Sequence, residues 1–294
     1  MITMKDVSIS STTRELIKRH DFRIAKKFGQ NFLVDESVLK GIIEASELSQ
    51  ADCVLEIGPG MGVMTQILSQ KAGRVLAVEI DKALIPILKV TLFGCENVSI
   101  INDDILKLDL KNTFKEYFGD VPVKVVANLP YYITTPIIMK LLEERLNLRS
   151  ITIMVQKEVG ERLAAAPGGK DYGALTVAVQ YYCVPHKVLV VPSDAFIPQP
   201  EVESMVVRLD IREKPPVPVK DEKLFFRVVK ASFGQRRKTL LNALSSGNLG
   251  VSKDVIRELL SKNGIEESRR GETLSLEEFA KIEDDLYVLQ NNNA

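Results

Sequence analysis

Short apolar runs typical of buried β-strands alternate with amphipathic, helix-length segments between residues 53 and 155. The apolar runs cover residues 53–57, 75–80, 98–101, 123–127 and 151–155. Strands that are joined through helix-length segments form right-handed crossovers and pair in parallel. The alternation therefore predicts an α/β fold with a doubly wound, mostly parallel sheet. Two later runs, residues 187–191 and 204–209, have no helix-length segment between them, so we expect an antiparallel pair that closes one edge of the sheet.

The alternation of strands and helices is interrupted by a proline-rich segment at residues 214–219, which read KPPVPV. Prolines at this density cannot continue a helix or a central strand, and they form a short, stiff spacer. Beyond the spacer, glycines separate segments with helical periodicity, at residues 224–233, 237–245, 253–262 and 275–286. We therefore predict two domains: residues 1–213, which carry the sheet and a basic N-terminal arm, and residues 214–294, a small helical domain.

Charge and cysteine content exclude several classes of protein. The 39 basic and 39 acidic side chains balance, which excludes a protein that binds nucleic acid over its whole surface but allows a local basic face. Cys53, Cys95 and Cys183 are scattered and form no CxxC pair, which argues against disulfides or zinc and fits a cytoplasmic protein. A polar N-terminus and the lack of a long apolar run argue against a signal peptide and a membrane span. His20 and His186 have no partners at ligand spacing, so no metal is expected.

A glycine-rich loop, EIGPGMG, directly follows the first predicted strand and begins at Glu56. Its G-x-G-x-G spacing, which starts at Gly58, differs from the G-x-G-x-x-G that places a pyrophosphate at a helix N-terminus. Glu56 would repel a pyrophosphate but would tolerate a cationic ligand. Glu79 ends the next strand, where an acid can accept both ribose hydroxyls, and Asp103 and Asp104 end the third, where one can accept from an adenine amino group. This pattern predicts S-adenosylmethionine as the ligand, although a glycine turn beside solvated acids is the simpler alternative.

The tetrapeptide Asn128-Leu129-Pro130-Tyr131 follows the fourth predicted strand. An adenine amino group is a poor nucleophile until it pyramidalises, and two acceptors for its hydrogens favour that shape. The Asn128 side-chain oxygen and the Leu129 carbonyl can supply both, with Pro130 fixing the turn and Tyr131 stacking on the base. Phe196, in a proline-rich loop, is a candidate for the other face of the base. The alternatives are a β-turn with a buried tyrosine, and a Phe196 that only fills the core.

A basic run without acids extends over residues 223–238. Its charged members are Lys223, Arg227, Lys230, Arg236, Arg237 and Lys238. The first three fall at i, i+4 and i+7, on one face of a helix whose other face is apolar. With the basic N-terminal arm, this face suits RNA phosphates. A merely solvated helix face is the alternative.

Several segments together resemble the ribosomal small-subunit (16S) rRNA adenine N6,N6-dimethyltransferase family. They are KFGQNFL at residues 27–33, EIGPGMG, Glu79, Asp104, NLPY, FxPxPxVxS at residues 196–204 and FGQRRKTLLNAL at residues 233–244. The resemblance covers nearly the whole chain. NLPY alone is shared with many methyltransferases, whereas FGQNFL and FGQRRKTL make the resemblance specific.

The resemblance implies a Rossmann-like methyltransferase sheet and a cofactor site for S-adenosylmethionine. In that site Asn31 and Leu33 join Gly58, Glu79, Asp104 and Asn128. It also implies dimethylation of two adjacent adenosines near the 3′ end of 16S rRNA, during assembly of the small ribosomal subunit. The expected partner is this rRNA in the subunit or its precursor, bound by a monomer without membrane or metal. One departure is Tyr132, where relatives often have asparagine, and we expect it to alter packing beside the pocket without changing the chemistry.

Three other functions share parts of this pattern. A methyltransferase that modifies one 23S rRNA adenosine and confers macrolide resistance would have the same fold, the same cofactor and a similar Asn-x-Pro-Tyr segment. It would use large ribosomal subunits as methyl acceptors. A non-catalytic assembly factor would keep its biological effect after Asn128→Ala. A nicotinamide-dependent oxidoreductase is disfavoured by the glycine spacing and would bind NAD instead of S-adenosylmethionine.

Overall fold

The structure is a computed structural model that describes residues 9–25, 28–235 and 237–292. The described strands are β1 (Phe32–Leu33), β2 (Cys53–Ile57), β3 (Arg74–Glu79), β4 (Val98–Asn102), β5 (Val123–Asn128), β6 (Leu148–Gln156), β7 (Cys183–Val191), β8 (Phe196–Ile197) and β9 (Ser204–Ile211). The described α-helices are α1 (Ile9–Arg19), α2 (Glu36–Ala45), α3 (Val63–Lys71), α4 (Ile85–Thr91), α5 (Leu110–Phe118), α6 (Thr134–Glu143), α7 (Lys157–Leu163), α8 (Ala174–Tyr182), α9 (Glu222–Gly234), α10 (Leu240–Ser246), α11 (Lys253–Lys262) and α12 (Leu276–Asn292). None of these helices is both long and apolar enough to cross a membrane.

Seven strands form one sheet in the order β4-β3-β2-β5-β6-β9-β7. The first five in this order pair in parallel, and β9 runs antiparallel to β6. This confirms the predicted doubly wound, mostly parallel sheet. The chain order reverses between β2 and β5, and ligands of open α/β sheets bind beyond the carboxyl ends of the strands at such a point. The last two strands do lie at one edge, with β9 inserted between β6 and β7.

A second, two-stranded sheet brings distant parts of the chain together. β1 pairs antiparallel with β8, with Phe32 opposite Ile197 and Leu33 opposite Phe196. The amide of Val34 extends this ladder by donating to the carbonyl of Ala195, at 2.8 Å. This pairing fixes where the N-terminal segment lies on the sheet domain.

Packing divides the chain into two compact units. One runs to Gly160 and resumes over Pro185–Ile211, and the other comprises Glu161–Val184 and continues from Arg212. Residues 1–213 were predicted to form one domain, whereas α8 belongs to the second compact unit. The reason is that Tyr181 of α8 is buried in the core of the second unit, where it stacks on Phe225 of α9 at 5.0 Å between ring centroids. A helical C-terminal region is present, and its role in RNA binding stays a prediction.

Candidate active site

The glycine loop connects β2 to α3 at the carboxyl edge of the sheet. Gly58, Gly60 and Gly62 all have positive φ, at 70°, 58° and 82°, which glycine adopts without the steric penalty of a Cβ. At Gly60 a Cβ would also lie 3.1 Å from Cδ1 of Phe32. The loop therefore needs glycine for its backbone conformation and, at Gly60, for the close approach of β1.

Glu79 closes β3 and is 4% exposed. Its Oε1 accepts from the amide of Asp81 at 2.8 Å, and its Oε2 accepts from the amide of Gly60 at 3.2 Å. Burial raises the pKa of Glu79 to about 7, although these two bonds act in the opposite direction. A carboxylate has about four acceptor positions, so the two backbone bonds fix its orientation and leave capacity for ligand hydroxyls.

Glu56, in the middle of the sheet, is 0% exposed, and neither of its carboxylate oxygens has a hydrogen-bond partner. Burial raises its pKa to about 8, although the nearby Thr65 hydroxyl, just outside hydrogen-bond geometry, lowers it, and the neighbouring Glu79 carboxylate raises it further. Its side chain lines the pocket beside the glycine loop. Because an uncompensated buried carboxylate is costly, Glu56 is mostly protonated near pH 7 without a ligand. A cationic ligand group beside it would favour the ionised form, so this part of the pocket suits such a group.

Asp103 and Asp104 follow β4 and line the same pocket. The amide of Asp103 donates to the carbonyl of Glu79 at 3.1 Å, which ties the two strand ends together. Asp104 is half-buried, and its Oδ1 accepts from the amide of Leu106 at 3.0 Å. The predicted convergence of acids from neighbouring strands is therefore present in the structure.

The residues of the Asn-Leu-Pro-Tyr segment also line this pocket, at the end of β5. The side-chain amide of Asn128 donates to the carbonyl of Asn31 at 3.0 Å. The amide of Leu129 donates to the carbonyl of Met154 at 3.1 Å. The carbonyl of Leu129 takes no part in this hydrogen bond. Tyr131 is half-buried, with its hydroxyl 2.6 Å from that of Ser204.

Residues 28–33, which we call the strap, form one wall of the pocket. Asn31 and Leu33 are among the lining residues, where the family resemblance places them. Two lining residues, Phe28 and Gln30, were missed by the sequence analysis. Phe28 is the first residue of the FGQNFL motif and places an aromatic residue at the pocket. The spacing of the neighbouring residues does not indicate a role for it.

Phe196 does not reach the pocket in this structure. It is 1% exposed and lies in the apolar core of the sheet unit with Phe22 and Phe32. The β1–β8 pairing holds it there. Its proposed stacking on a base stays a prediction, and the geometry favours the alternative of a core side chain.

The basic side chains of α9 share one exposed face. Lys223, Arg227 and Lys230 are exposed, and Arg227 Nη2 donates to the carbonyl of Asn248 at 3.0 Å. Arg237 and Lys238 are exposed after the helix ends, and Arg236 lies outside the described residues. The predicted one-sided basic helix is present, and its contact with RNA stays a prediction. Among the described residues no group of three or more His, Cys, Asp or Glu could hold a metal ion.

The sheet order, the glycine loop and the acids at the strand ends define a Rossmann-like methyltransferase fold. The chain belongs to the ribosomal RNA adenine dimethylase family, whose sequence model matches residues 21–285. The chain is 53% identical to a ribosomal RNA small subunit methyltransferase A from Alkaliphilus oremlandii, over 96% of this chain and 99% of the relative. It is 49% identical to the protein of the same name from Clostridioides difficile, over 95% and 96%.

Two solved structures share the fold. A dimethyladenosine transferase from Plasmodium falciparum matches with a TM-score of 0.73 and 26% identity, over 89% of this chain and 98% of that one. The 23S rRNA methyltransferase ErmE matches with a TM-score of 0.66 and 25% identity, over 87% of this chain and 100% of that one. The similarity in both cases extends over most of the chain.

Proposed function

We propose that the protein transfers methyl groups from S-adenosylmethionine to the N6 amino groups of two adjacent adenosines near the 3′ end of 16S rRNA. The product is N6,N6-dimethyladenosine, formed during assembly of the small ribosomal subunit in the cytoplasm. Family membership and the roughly 50% identity to full-length small-subunit methyltransferases support this substrate. The observation that carries the proposal is that Glu56, Glu79 and Asn128 line one pocket.

The side chains of the pocket fit S-adenosylmethionine. Glu79 would accept the ribose hydroxyls with the acceptor positions that its two backbone bonds leave, and Asp104 would accept from the adenine amino group. Glu56, whose pKa burial raises to about 8 in the ligand-free protein, would lose its proton beside the positive charge of the ligand and so complement it. Gly58 would allow close backbone approach, and Asn31 and Leu33 of the strap would cover the ligand. When bound, S-adenosylmethionine supplies a methyl group on a positively charged sulphur, which an amine can attack.

The Asn-Leu-Pro-Tyr segment would activate the target adenine. The Asn128 side-chain oxygen and the Leu129 carbonyl accept the two hydrogens of the amino group and favour its pyramidal shape, which directs the nitrogen lone pair toward the methyl carbon. Pro130 fixes the turn, and Tyr131 stacks on a base that has left its RNA stack. As the new nitrogen–carbon bond would form, the carbon–sulphur bond of the donor would break and leave a neutral thioether. The nitrogen would become cationic and then lose its proton to water, so no strongly basic side chain is required.

The exposed basic face of α9 supports a role in holding the RNA backbone. Lys223, Arg227 and Lys230 present three positive charges on one side of the helix. Phosphate contacts of this kind position a nucleic acid without reading its sequence. We therefore propose that this face orients the rRNA, bound by a monomer, and that the pocket selects the adenosine.

The test is to incubate the purified protein with labelled S-adenosylmethionine and small subunits that lack the modification, and then to map the labelled nucleotides. Label on two adjacent adenosines near the 3′ end of 16S rRNA is expected. The similarity to ErmE makes large subunits the second acceptor to be tested; label on 23S rRNA alone would replace the proposed substrate. Binding of NAD in place of S-adenosylmethionine, or an unchanged effect on assembly after Asn128→Ala, would contradict the catalytic role.

A further inference from the structure

The strap is joined to the carboxyl edge of the sheet at three separate points. Gln30 Nε2 donates to Asp81 Oδ2 at 2.7 Å, beyond the end of β3. The carbonyl of Asn31 accepts from Asn128 Nδ2 at 3.0 Å, at the end of β5. The ring of Tyr132 covers Gly29 so closely that a Cβ there would lie 3.2 Å from Cδ1 of the ring. The strap thus contacts the pocket both beyond β3, where the cofactor is expected to bind, and at the end of β5, where the target adenine is expected.

The bond between Asn31 and Asn128 determines which end of the catalytic amide is available. A backbone carbonyl can only accept a hydrogen bond, so it must face the NH₂ group of Asn128 and not its oxygen. The Asn128 Oδ1 atom is then the end that can accept from an incoming N–H. Without the Asn31 carbonyl the amide could turn over and offer a donor to the adenine amino group, which is itself a donor. The strap therefore determines that the oxygen of the Asn128 side-chain amide, and not its NH₂ group, faces the target amine.

The side-chain amide of Gln30, the residue before Asn31, is hydrogen-bonded at both ends. Its Oε1 accepts from the amide of Ala25 at 2.8 Å, while its Nε2 donates to Asp81. Asp81 is itself held, because its Oδ1 accepts from the amide of Ala83 at 3.0 Å and its own amide donates to Glu79. The glutamine amide supplies one donor and one acceptor to two partners, which a glutamate at this position could not do.

We propose that Gln30 is a positioning residue for methyl transfer. By fixing the strap to Asp81, it holds the Asn31 carbonyl against the NH₂ group of Asn128 and so keeps the Asn128 oxygen turned toward the target amine. This inference rests on the catalytic role of Asn128 in the proposed function. The β1–β8 pairing and the contact of Phe32 with Gly60 keep the strap on the sheet without Gln30, so its loss should loosen the geometry locally and leave the fold intact.

The first experiment compares Gln30→Ala and Gln30→Glu with the control Gln50→Ala. Gln50 is exposed, and its Nε2 donates to the carbonyl of Gln70 at the same 2.7 Å, but it does not line the pocket. At saturating S-adenosylmethionine and RNA, we expect kcat to fall about 10- to 100-fold in both Gln30 variants, as displaced catalytic groups typically do, and to be unchanged in the control. Gln30→Glu keeps the acceptor for Ala25, replaces the donor to Asp81 by an acceptor and adds a like charge beside Asp81, whereas Gln30→Ala removes both bonds without adding a charge. A normal kcat with only a raised KM for the cofactor would overturn the proposal, because the strap would then act in binding alone.

A double-mutant comparison separates this inference from the proposed function. If Gln30 acts through Asn128, adding Gln30→Ala to Asn128→Ala should change the residual single-turnover rate by less than about two-fold. Independent, multiplying losses would overturn the positioning role while leaving Asn128 catalytic. Near-normal turnover of the Asn128→Ala single variant would instead refute the proposed mechanism, and with it the inference.

Discussion

Replacing Glu56 with glutamine should change how the stability of the ligand-free protein depends on pH. The carboxylate is 0% exposed, has no hydrogen-bond partner and has a pKa that burial raises to about 8. In the folded protein Glu56 is therefore neutral at pH 7, whereas in the unfolded chain it ionises near its ordinary value of 4.5. Between these values the folded protein binds more protons than the unfolded chain, so rising pH destabilises it.

The magnitude follows from the two pKa values. The difference between 4.5 and about 8 corresponds to about 5 kcal/mol at about 1.4 kcal/mol per pKa unit, all of it lost well above pH 8. Roughly half of this loss falls between pH 6 and pH 9. Glutamine cannot ionise, so the Glu56→Gln variant lacks this contribution. Its buried amide changes the free energy of unfolding by an amount that does not vary with pH.

Urea unfolding at pH 6, 7, 8 and 9 measures this difference. The free energy of unfolding of the wild type should fall relative to that of Glu56→Gln as pH rises, and the two curves should differ in slope. Glu96→Gln, which removes an exposed glutamate of the same unit, controls for the loss of one acid. Parallel curves for the wild type and Glu56→Gln would show that Glu56 ionises normally in the folded state, contrary to the burial argument.

Four further predictions test the remaining parts of the site. Glu79→Ala should weaken binding of S-adenosylmethionine by about 1.5–3 kcal/mol for one lost hydrogen bond to a charged group, and unchanged affinity in calorimetry would contradict the ribose role. Asn128→Ala should lose less cofactor affinity than Glu79→Ala yet transfer almost no methyl in a filter-binding assay. Phe196→Ala should lower the free energy of unfolding by about 3–5 kcal/mol; a loss below about 1 kcal/mol would mean that the ring does not belong to the core. Charge reversal at Lys223 and Arg227 should weaken subunit binding and flatten its salt dependence, whereas an unchanged salt slope would remove this face from phosphate contact.

Much of the sheet could be predicted because its signal is local. A buried parallel strand is apolar throughout, as in Cys53–Ile57, and it must be followed by a helix-length crossover. The acids after β3 and β4 could be placed at one edge for the same reason, since the carboxyl ends of parallel strands lie together. The family resemblance added Asn31 and Leu33, which the spacing of residues did not indicate.

A residue's role is harder to predict where it depends on partners that are distant in the chain. The order of the last two strands was not predicted, because strands of similar composition can pair in more than one order. The packing of the complete sheet determines which order forms. The assignment of α8 depended on a core that its residues share with α9, far along the chain. Gln30 was overlooked because its hydrogen bonds with Ala25 and Asp81 exist only when the strap lies against the sheet.

The types of element, their order and the chemical groups at the strand ends can be read from the amino-acid sequence, because side-chain period and glycine spacing act over a few residues. Three features depend instead on long-range packing: the buried Glu56 carboxyl, the place of Phe196 in the core, and the hydrogen bond from Asn128 to the Asn31 carbonyl. Burial and hydrogen-bond geometry depend on which surfaces meet after the chain has folded. The same residue type at the same local spacing can therefore serve the core or the pocket, according to what packs against it.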